Sequence, residues 1–304
     1  MIGRGGMAVV MTAYDRKAKR RVAVKILHPH LAGDSTIVER FELEARAARG
    51  VEHPNLVGFL DAGIAQGIPY LVMELVEGPS LADYVNEHGA LRPPLALELF
   101  CHVALALEAL HAGGVVHRDV KPANLLLEMD GLRPRCVKVA DLGLVRVHGK
   151  RITGEGQAVG TSSYMAPEQA VADEVDPRTD IYALGVCLFF ALTAELPFTG
   201  STGMVMCHQL LEKAPPPSWL IDEDPLGTDT IVGCALRKAP ANRYATMHAL
   251  RADSELAMKG IKPLGVPLVI DPDRYVPATR LGRDLVTLLA KEYRKKPPSW
   301  IPSD

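Results

Sequence analysis

At 304 residues the chain exceeds a usual single hydrophobic core, so one large two-part domain or two ordinary domains fit its length. With 48% apolar and 23% charged residues it carries material for a sizeable core, which excludes a wholly disordered chain. A formal charge of −2 removes any global electrostatic reason to expect nucleic acid or an anionic membrane surface as the main partner.

In chain order, the first residues place glycines at Gly3, Gly5 and Gly6 within Ile2-Gly3-Arg4-Gly5-Gly6-Met7-Ala8-Val9-Val10. A strand-turn-strand built on them would bring backbone N–H groups onto phosphates without side-chain obstruction. Short β-type runs follow at 8–12, 21–27, 55–63 and 69–75, and residues 36–49 interrupt them with one amphipathic helical pattern. The first part is therefore expected to be a small sheet with one helix. From Ser80 onward helical patterns dominate: 81–87, then 94–113, ended by Gly113-Gly114. Strand-like pieces at 124–127 and 136–139 lie between helices, with unusual polar residues in the loops around them.

The longest apolar run, 181–194, falls short of the roughly 20 residues a membrane-spanning helix needs and reads as a buried core helix. No membrane segment is expected. The five cysteines, Cys101, Cys136, Cys187, Cys207 and Cys234, are scattered and form no C-x-x-C pair, so they read as buried free thiols. The first residues carry no basic-then-apolar leader, and the chain is expected to be cytoplasmic. Pro215-Pro216-Pro217 reads as a stiff connector.

The chemistry lies in an ordered series. Val22-Ala23-Val24-Lys25 puts a lone lysine in an apolar strand, where a buried ammonium is costly unless a carboxylate or phosphate pairs with it; Glu44 on the helix is the candidate partner. Then come His117-Arg118-Asp119-Val120-Lys121-Pro122-Ala123-Asn124, Asp141-Leu142-Gly143 and Ala166-Pro167-Glu168. In this order and spacing the series resembles the eukaryotic-type (Hanks-type) serine/threonine protein kinase family over residues 2 to about 259. The wording of 69–74 and 164–169 looks most like its bacterial members.

The resemblance implies an α+β, two-lobed protein kinase fold: a small antiparallel sheet plus one helix in an N-lobe (1–76), and a mainly helical C-lobe (77–259). It also implies ATP and Mg²⁺ as cofactors, with Mn²⁺ as the alternative ion, and proteins with Ser or Thr hydroxyls as substrates. Carried onto this sequence, Lys25 would hold the α- and β-phosphates, oriented by Glu44. Asn124 and Asp141 would supply oxygens to the metal. Asp119 would accept the substrate hydroxyl's proton, and Lys121 would neutralise charge on the transferred group. The phosphate loop would span Ile2 to Val10. Ile2, Val10, Ala23 and Leu126 would wall the adenine, the backbone of Glu74 to Val76 would hydrogen-bond it, and Met73 would guard the back of the pocket.

The Asp-x-Lys-Pro-x-Asn form and Gly160-Thr161, where Thr161 would help hold the catalytic Asp and Lys, imply Ser/Thr rather than Tyr acceptors. Arg118 is the kind of residue that pairs with a phosphorylated activation loop, and Thr153 is the expected acceptor there, with Glu155 as a partial constitutive charge. His117 would serve packing and hydrogen bonding, Asp180 would anchor the catalytic loop, and Arg243 would pair with Glu168.

Two departures stand out. Ala8 replaces the third glycine of the loop, and its methyl is expected to weaken ATP binding. Only Met1 precedes Ile2, so the first strand is expected to be nearly absent, and a start upstream of Met1 would restore it. Residues 260–304 form an extension whose Leu281, Leu285, Leu288, Leu289 and Tyr293 recur at helical spacing before Arg294-Lys295-Lys296. A helix folding back on the helical lobe is expected, with partner docking through 279–296 as the alternative. The rival functions are a pseudokinase scaffold that binds nucleotide without catalysis and a kinase of a small molecule.

Overall fold

The computed structural model describes residues 1–141, 162–221, 227–266, 276–279 and 282–287. They fall into two compact units: residues 1–88 with 99–153, and residues 89–98 with 154–304.

The first unit is built on a five-stranded antiparallel sheet of order β1-β2-β3-β5-β4, comprising β1 (Gly3–Arg4), β2 (Ala8–Asp15), β3 (Arg20–Leu27), β4 (Phe59–Ala65) and β5 (Ile68–Glu74). The first strand is short rather than lost: Gly3 pairs with Val10 and Arg4 with Val9, so the sheet keeps a two-residue edge. Helix α1 (Ser35–Gly50) starts at Asp34, whose side chain accepts from the Thr36 and Ile37 N–H groups. Its apolar stripe sets Phe41 and Ala45 into one cluster with Ala8, Leu27 and Leu71. Burying side chains the size of Phe41, Leu27 and Leu71 contributes about 1.5–3 kcal/mol each, which fixes α1 to the sheet and with it the position of Glu44.

Strand β4 begins at Phe59, later than the apolar pattern from Asn55 suggests, because the residues before it pair elsewhere. The Val139 N–H donates to the Asn55 carbonyl at 2.8 Å and the Val57 N–H to the Val139 carbonyl at 2.9 Å. The hairpin of β6 (Leu125–Asp130) and β7 (Arg133–Val139) is thereby tied into the same unit as the sheet. A second tie follows β5: the Leu127 N–H donates to the Pro79 carbonyl at 2.9 Å, and a Cβ at Gly78 would stand 1.9 Å from the Leu127 oxygen. Only glycine lets the chain pass there. Ser80 and Asp83 then cap α2 (Leu81–His88) reciprocally, each side chain accepting from the other's N–H.

Helix α3 (Pro93–Ala112) has the length and apolar composition to cross a membrane, although Glu98, His102 and Glu108 interrupt its apolar run. Leu97, Leu99, Val103, Leu107 and Leu110 on it are fully buried, as in the core helix of a globular protein.

The second unit is organised around α5 (Pro177–Thr193), capped by Asp176 and buried on every side from Thr179 to Leu192. Short α4 (Pro167–Ala170), α6 (Thr202–Leu211), α7 (Thr228–Ala235) and α8 (Met247–Met258) complete it. A Cβ at Gly185 would lie 2.7 Å from the Ala235 Cβ, so α5 and α7 approach more closely than any larger residue permits. In the extension, Leu285 and Val286 pack against Met165, Ala170, Val171 and Leu210. Leu281, Leu288, Leu289, Tyr293 and Arg294-Lys295-Lys296 lie outside the described residues. Four of the five cysteines are buried, and Cys136 is only half-buried.

Candidate active site

The sheet positions the first two residues. Lys25 lies on β3 opposite Val10 and Leu71, and its ammonium donates to Glu44 Oε1 at 2.7 Å and to Asp141 Oδ1 at 2.9 Å. Burial opposes the Lys25 charge, but the Asp141 and Glu44 carboxylates outweigh it and raise the ammonium above its ordinary value. Burial of Glu44 pushes its carboxyl up against the pull of Lys25, and the nearby Asp141 charge adds to the rise. At Asp141 burial also pushes upward, yet the Lys25 charge and hydrogen bond prevail and hold the carboxyl below its usual range.

A different order of protonation follows for the two carboxylates. As pH falls, Glu44 is expected to take a proton above its ordinary 4.5, while Asp141 keeps its charge to below its ordinary 3.8. A raised carboxyl binds its proton more tightly in the fold than in the unfolded chain, so protonating Glu44 does not drive unfolding; the stability from Asp141 is lost only as pH drops through its lowered value. Nucleotide affinity should therefore fall in mild acid before thermal stability does, and a Glu44→Gln variant should lack that step. Affinity in the native chain that tracks the variant's down to about pH 4 would sink the assignment.

The catalytic-loop residues sit in the same unit. Arg118 adopts the left-handed backbone conformation (φ 67°), as does Asp141 (φ 54°), both strained for residues with a Cβ and typical of chain held for a purpose. His117 is fully buried; its Nδ1 accepts from the Asp119 N–H at 3.2 Å, which leaves Nε2 to donate to the Ala140 carbonyl, also at 3.2 Å. The imidazole thus splints the Asp119 loop to the residue before Asp141. Lys121 Nζ donates to Asp119 Oδ2 at 2.7 Å, and Asn124 Nδ2 donates to the Asp119 carbonyl at 2.9 Å and to Oδ2 at 3.3 Å. With its amide N–H groups turned to Asp119, Asn124 keeps its amide oxygen as a ligand atom. That oxygen and the Asp141 carboxylate suit a hard divalent cation.

Comparison with known proteins decides the family. The protein kinase domain family model matches residues 1–253. The chain belongs to the protein kinase family. It is 38% identical over 282 residues to the serine/threonine-protein kinase PknB of Mycobacterium tuberculosis, covering 90% of this chain and 44% of PknB. The chain thus spans less than half the length of that relative. Among solved structures, the M. tuberculosis PknI kinase domain superposes with a TM-score of 0.68 at 25% identity, covering 86% of this chain and 94% of that one. Rad53 residues 1–466 in complex with AMP-PNP superpose with a TM-score of 0.65 at 25% identity, covering 82% and 62%. The architecture is the α+β protein kinase fold, and the relatives are bacterial serine/threonine kinases.

Within this chain, Lys25, Glu44 and Asp141 meet, and Asp119, Lys121 and Asn124 meet. Met73 lines a cavity with Glu44, Phe59 and Asp141. Ala23 is buried opposite Met73, Val10 and Leu126 are half-buried, and Ile2 is exposed. Of the backbone groups expected to bind adenine, the Glu74 N–H is taken by the Gly58 carbonyl at 2.8 Å, so hydrogen bonding at that residue falls to its carbonyl. Ala8 differs from expectation in its surroundings: it is packed in the apolar cluster under α1, so its methyl fills core. Thr153, Gly160 and Thr161 lie outside the described residues.

Two contributors escaped the sequence reading. Lys138 Nζ reaches the Glu74 carboxylate at 3.1 Å, and that carboxylate also accepts the Gly58 N–H. An isolated lysine in the apolar run before Asp141 was the available signal, the same one that marked Lys25. His28 Nε2 lies 3.0 Å from the Gly5 carbonyl and the His28 N–H donates to the Met7 carbonyl, so the glycine loop is held from β3. Nothing in the sequence marks a histidine for that task.

Proposed function

We propose that this chain is a serine/threonine protein kinase that transfers the γ-phosphoryl group of Mg-ATP to protein hydroxyls. The observation that carries the reading is the Lys25 ammonium bound by Glu44 and Asp141 together, in one unit with an Asp119 carboxylate positioned by Lys121 and Asn124. Lys25 has three donors, so it can keep Glu44 while turning another N–H to the α- and β-phosphates. Asp119 accepts the proton of the attacking hydroxyl, and Lys121 stabilises charge on the phosphoryl oxygens. Asn124 and Asp141 would hold Mg²⁺, or Mn²⁺, which neutralises the phosphates when bound. The AMP-PNP bound to Rad53, a nucleotide on the same fold, supports ATP as the donor.

Ser and Thr acceptors on proteins are supported by the Asp119-x-Lys121-Pro122-x-Asn124 form and by the serine/threonine kinase relatives. Nucleic acid is not part of the reading. A cytoplasmic place for this domain is supported by its free, mostly buried thiols. The test is incubation of the chain with γ-labelled Mg-ATP and a generic basic protein, followed by phosphoamino-acid analysis. Label on serine and threonine is the expected result. Nucleotide binding without transfer would establish the pseudokinase instead, and label confined to a small molecule would overturn the protein substrate.

A further inference from the structure

We infer that Thr279 is a phosphorylation site whose modification releases the C-terminal segment from the second unit; the inference rests on the kinase reading above for its phosphoryl donor. Among the described residues, a polar latch at Asp173 and an apolar contact hold the segment. Asp173, almost fully buried, receives the Ala278 N–H at 2.9 Å, the Thr279 N–H at 3.3 Å and the Thr279 hydroxyl at 2.9 Å. The same hydroxyl oxygen accepts from the Gly282 N–H at 3.0 Å, where the helical turn of residues 282–287 begins. That turn sets Leu285 and Val286 against Met165, Ala170, Val171 and Leu210, beside the Ala166-Pro167-Glu168 motif.

Thr279 is itself exposed, so its hydroxyl oxygen can be reached although it is bonded. In the modification the Thr279 oxygen bonds to the γ-phosphorus of ATP as the bond from that phosphorus to the ADP oxygen breaks. The hydroxyl proton passes to the Asp119 carboxylate of the acting enzyme, and ADP leaves.

The phosphate removes one of the donors that Asp173 receives, the Thr279 hydroxyl, and sets about −1.5 to −2 charges beside a buried carboxylate that cannot turn to water. A described cation nearby, Arg283, works in the same direction. Arg283 Nη1 donates to the Pro277 and Ala278 carbonyls, at 3.2 and 2.7 Å, and therefore belongs to the segment rather than to the surface beneath it. A phosphothreonine can exchange Asp173 for Arg283 and carry its partner away. The apolar patch of Met165, Ala170, Val171 and Leu210 is then uncovered.

The experiment uses the full chain. After incubation with Mg-ATP and a basic protein, phosphosites are mapped by mass spectrometry. Hydrogen exchange over 165–171 and 276–287 is compared for the native chain, Thr279→Glu and Thr279→Ser. Phosphate on Thr279, and exchange at least about tenfold faster in both segments for Thr279→Glu but not Thr279→Ser, is the expected result, in line with loss of a hydrogen bond to a charged group. A labelled basic protein with Thr279 unmodified overturns the switch and leaves the kinase reading standing. No label on either defeats the kinase reading and the switch with it. Native protection in Thr279→Glu overturns the release even if the site is modified.

Discussion

Asp119→Asn is expected to lower the rate of phosphoryl transfer by about 10²- to 10⁴-fold, the range a positioned general base supplies, while leaving Mg-ATP affinity unchanged. The asymmetry follows from what surrounds the carboxylate. Its Oδ2 faces two donors, Lys121 Nζ at 2.7 Å and Asn124 Nδ2 at 3.3 Å. An asparagine at this position keeps its place only by turning its amide oxygen to those donors, which leaves its NH₂ group where the substrate hydroxyl must lose a proton. A group that accepted now donates. On the proposed reading it is Lys25, untouched by the change, that would hold the phosphates, so a nucleotide analogue should bind as before. Single-turnover transfer beside analogue titration separates the two quantities. An Asp119→Asn chain that transfers at a rate near the native one would remove Asp119 from the chemistry and leave it a structural partner of Lys121.

How much of this was legible in the sequence depends on whether the signal was local. Lys25 declared itself because a single cation in an apolar strand needs a counter-charge, and Glu44 on the amphipathic pattern of 36–49 was its candidate partner. The buried face of α1 carries Phe41, Glu44 and Ala45 at one- and three-residue steps, so a carboxylate among apolar neighbours is a readable anomaly. Asp119, Asn124 and Asp141 were found by resemblance; nothing in their spacing alone predicts that Arg118 and Asp141 adopt the left-handed conformation that aims them.

What stayed hidden was set by distant backbone. Gly78 reads as an ordinary turn glycine until the Leu127 carbonyl is placed 1.9 Å from its absent Cβ. The late start of β4 follows from Asn55 and Val57 pairing with Val139, more than 80 positions along the chain, which no local apolar pattern reports. Asp173 stands close to Glu174 and Asp176 in the sequence with nothing local to set it apart, yet it is buried and receives three hydrogen bonds from Ala278 and Thr279. The first strand was undervalued for a different reason: two residues suffice for an edge when the neighbouring strand is eight long and its partner Val10 is already fixed by β3.

Arg243→Met is expected to destabilise the second unit by about 3–5 kcal/mol, the cost of breaking a buried ion pair from one side. Arg243 and Glu168 are each 1% exposed, and the guanidinium meets the carboxylate through two parallel bonds of 2.7 and 2.8 Å. Its other donors serve the carbonyls of Arg237, Arg178 and Lys238 at 2.8, 2.9 and 2.8 Å, so all five N–H groups are engaged, and its plane lies 4.8 Å from the Tyr182 ring centroid. Methionine fills much of the volume and satisfies none of these acceptors. Among the described residues, Glu168 would then retain only the Thr179 hydroxyl, at 2.8 Å, against the desolvation of its charge.

Lysine should not rescue the site, because a single ammonium cannot reproduce the fork and also reach the Arg178, Arg237 and Lys238 carbonyls. A second cation close by does not substitute either. Burial, and after it the Arg243 charge, push the Lys238 ammonium well below its ordinary value, and its bonds run to the Tyr182 hydroxyl and the His208 carbonyl rather than to Glu168. Removing the Glu168 charge as well, in Glu168→Gln with Arg243→Met, should recover part of the loss, since a neutral amide costs less to leave in a dry site than a carboxylate. Urea unfolding of the three variants beside the native chain measures each step. A single-variant loss below about 1 kcal/mol would mean that water reaches Glu168 and that the pair is not the closed knot its geometry implies.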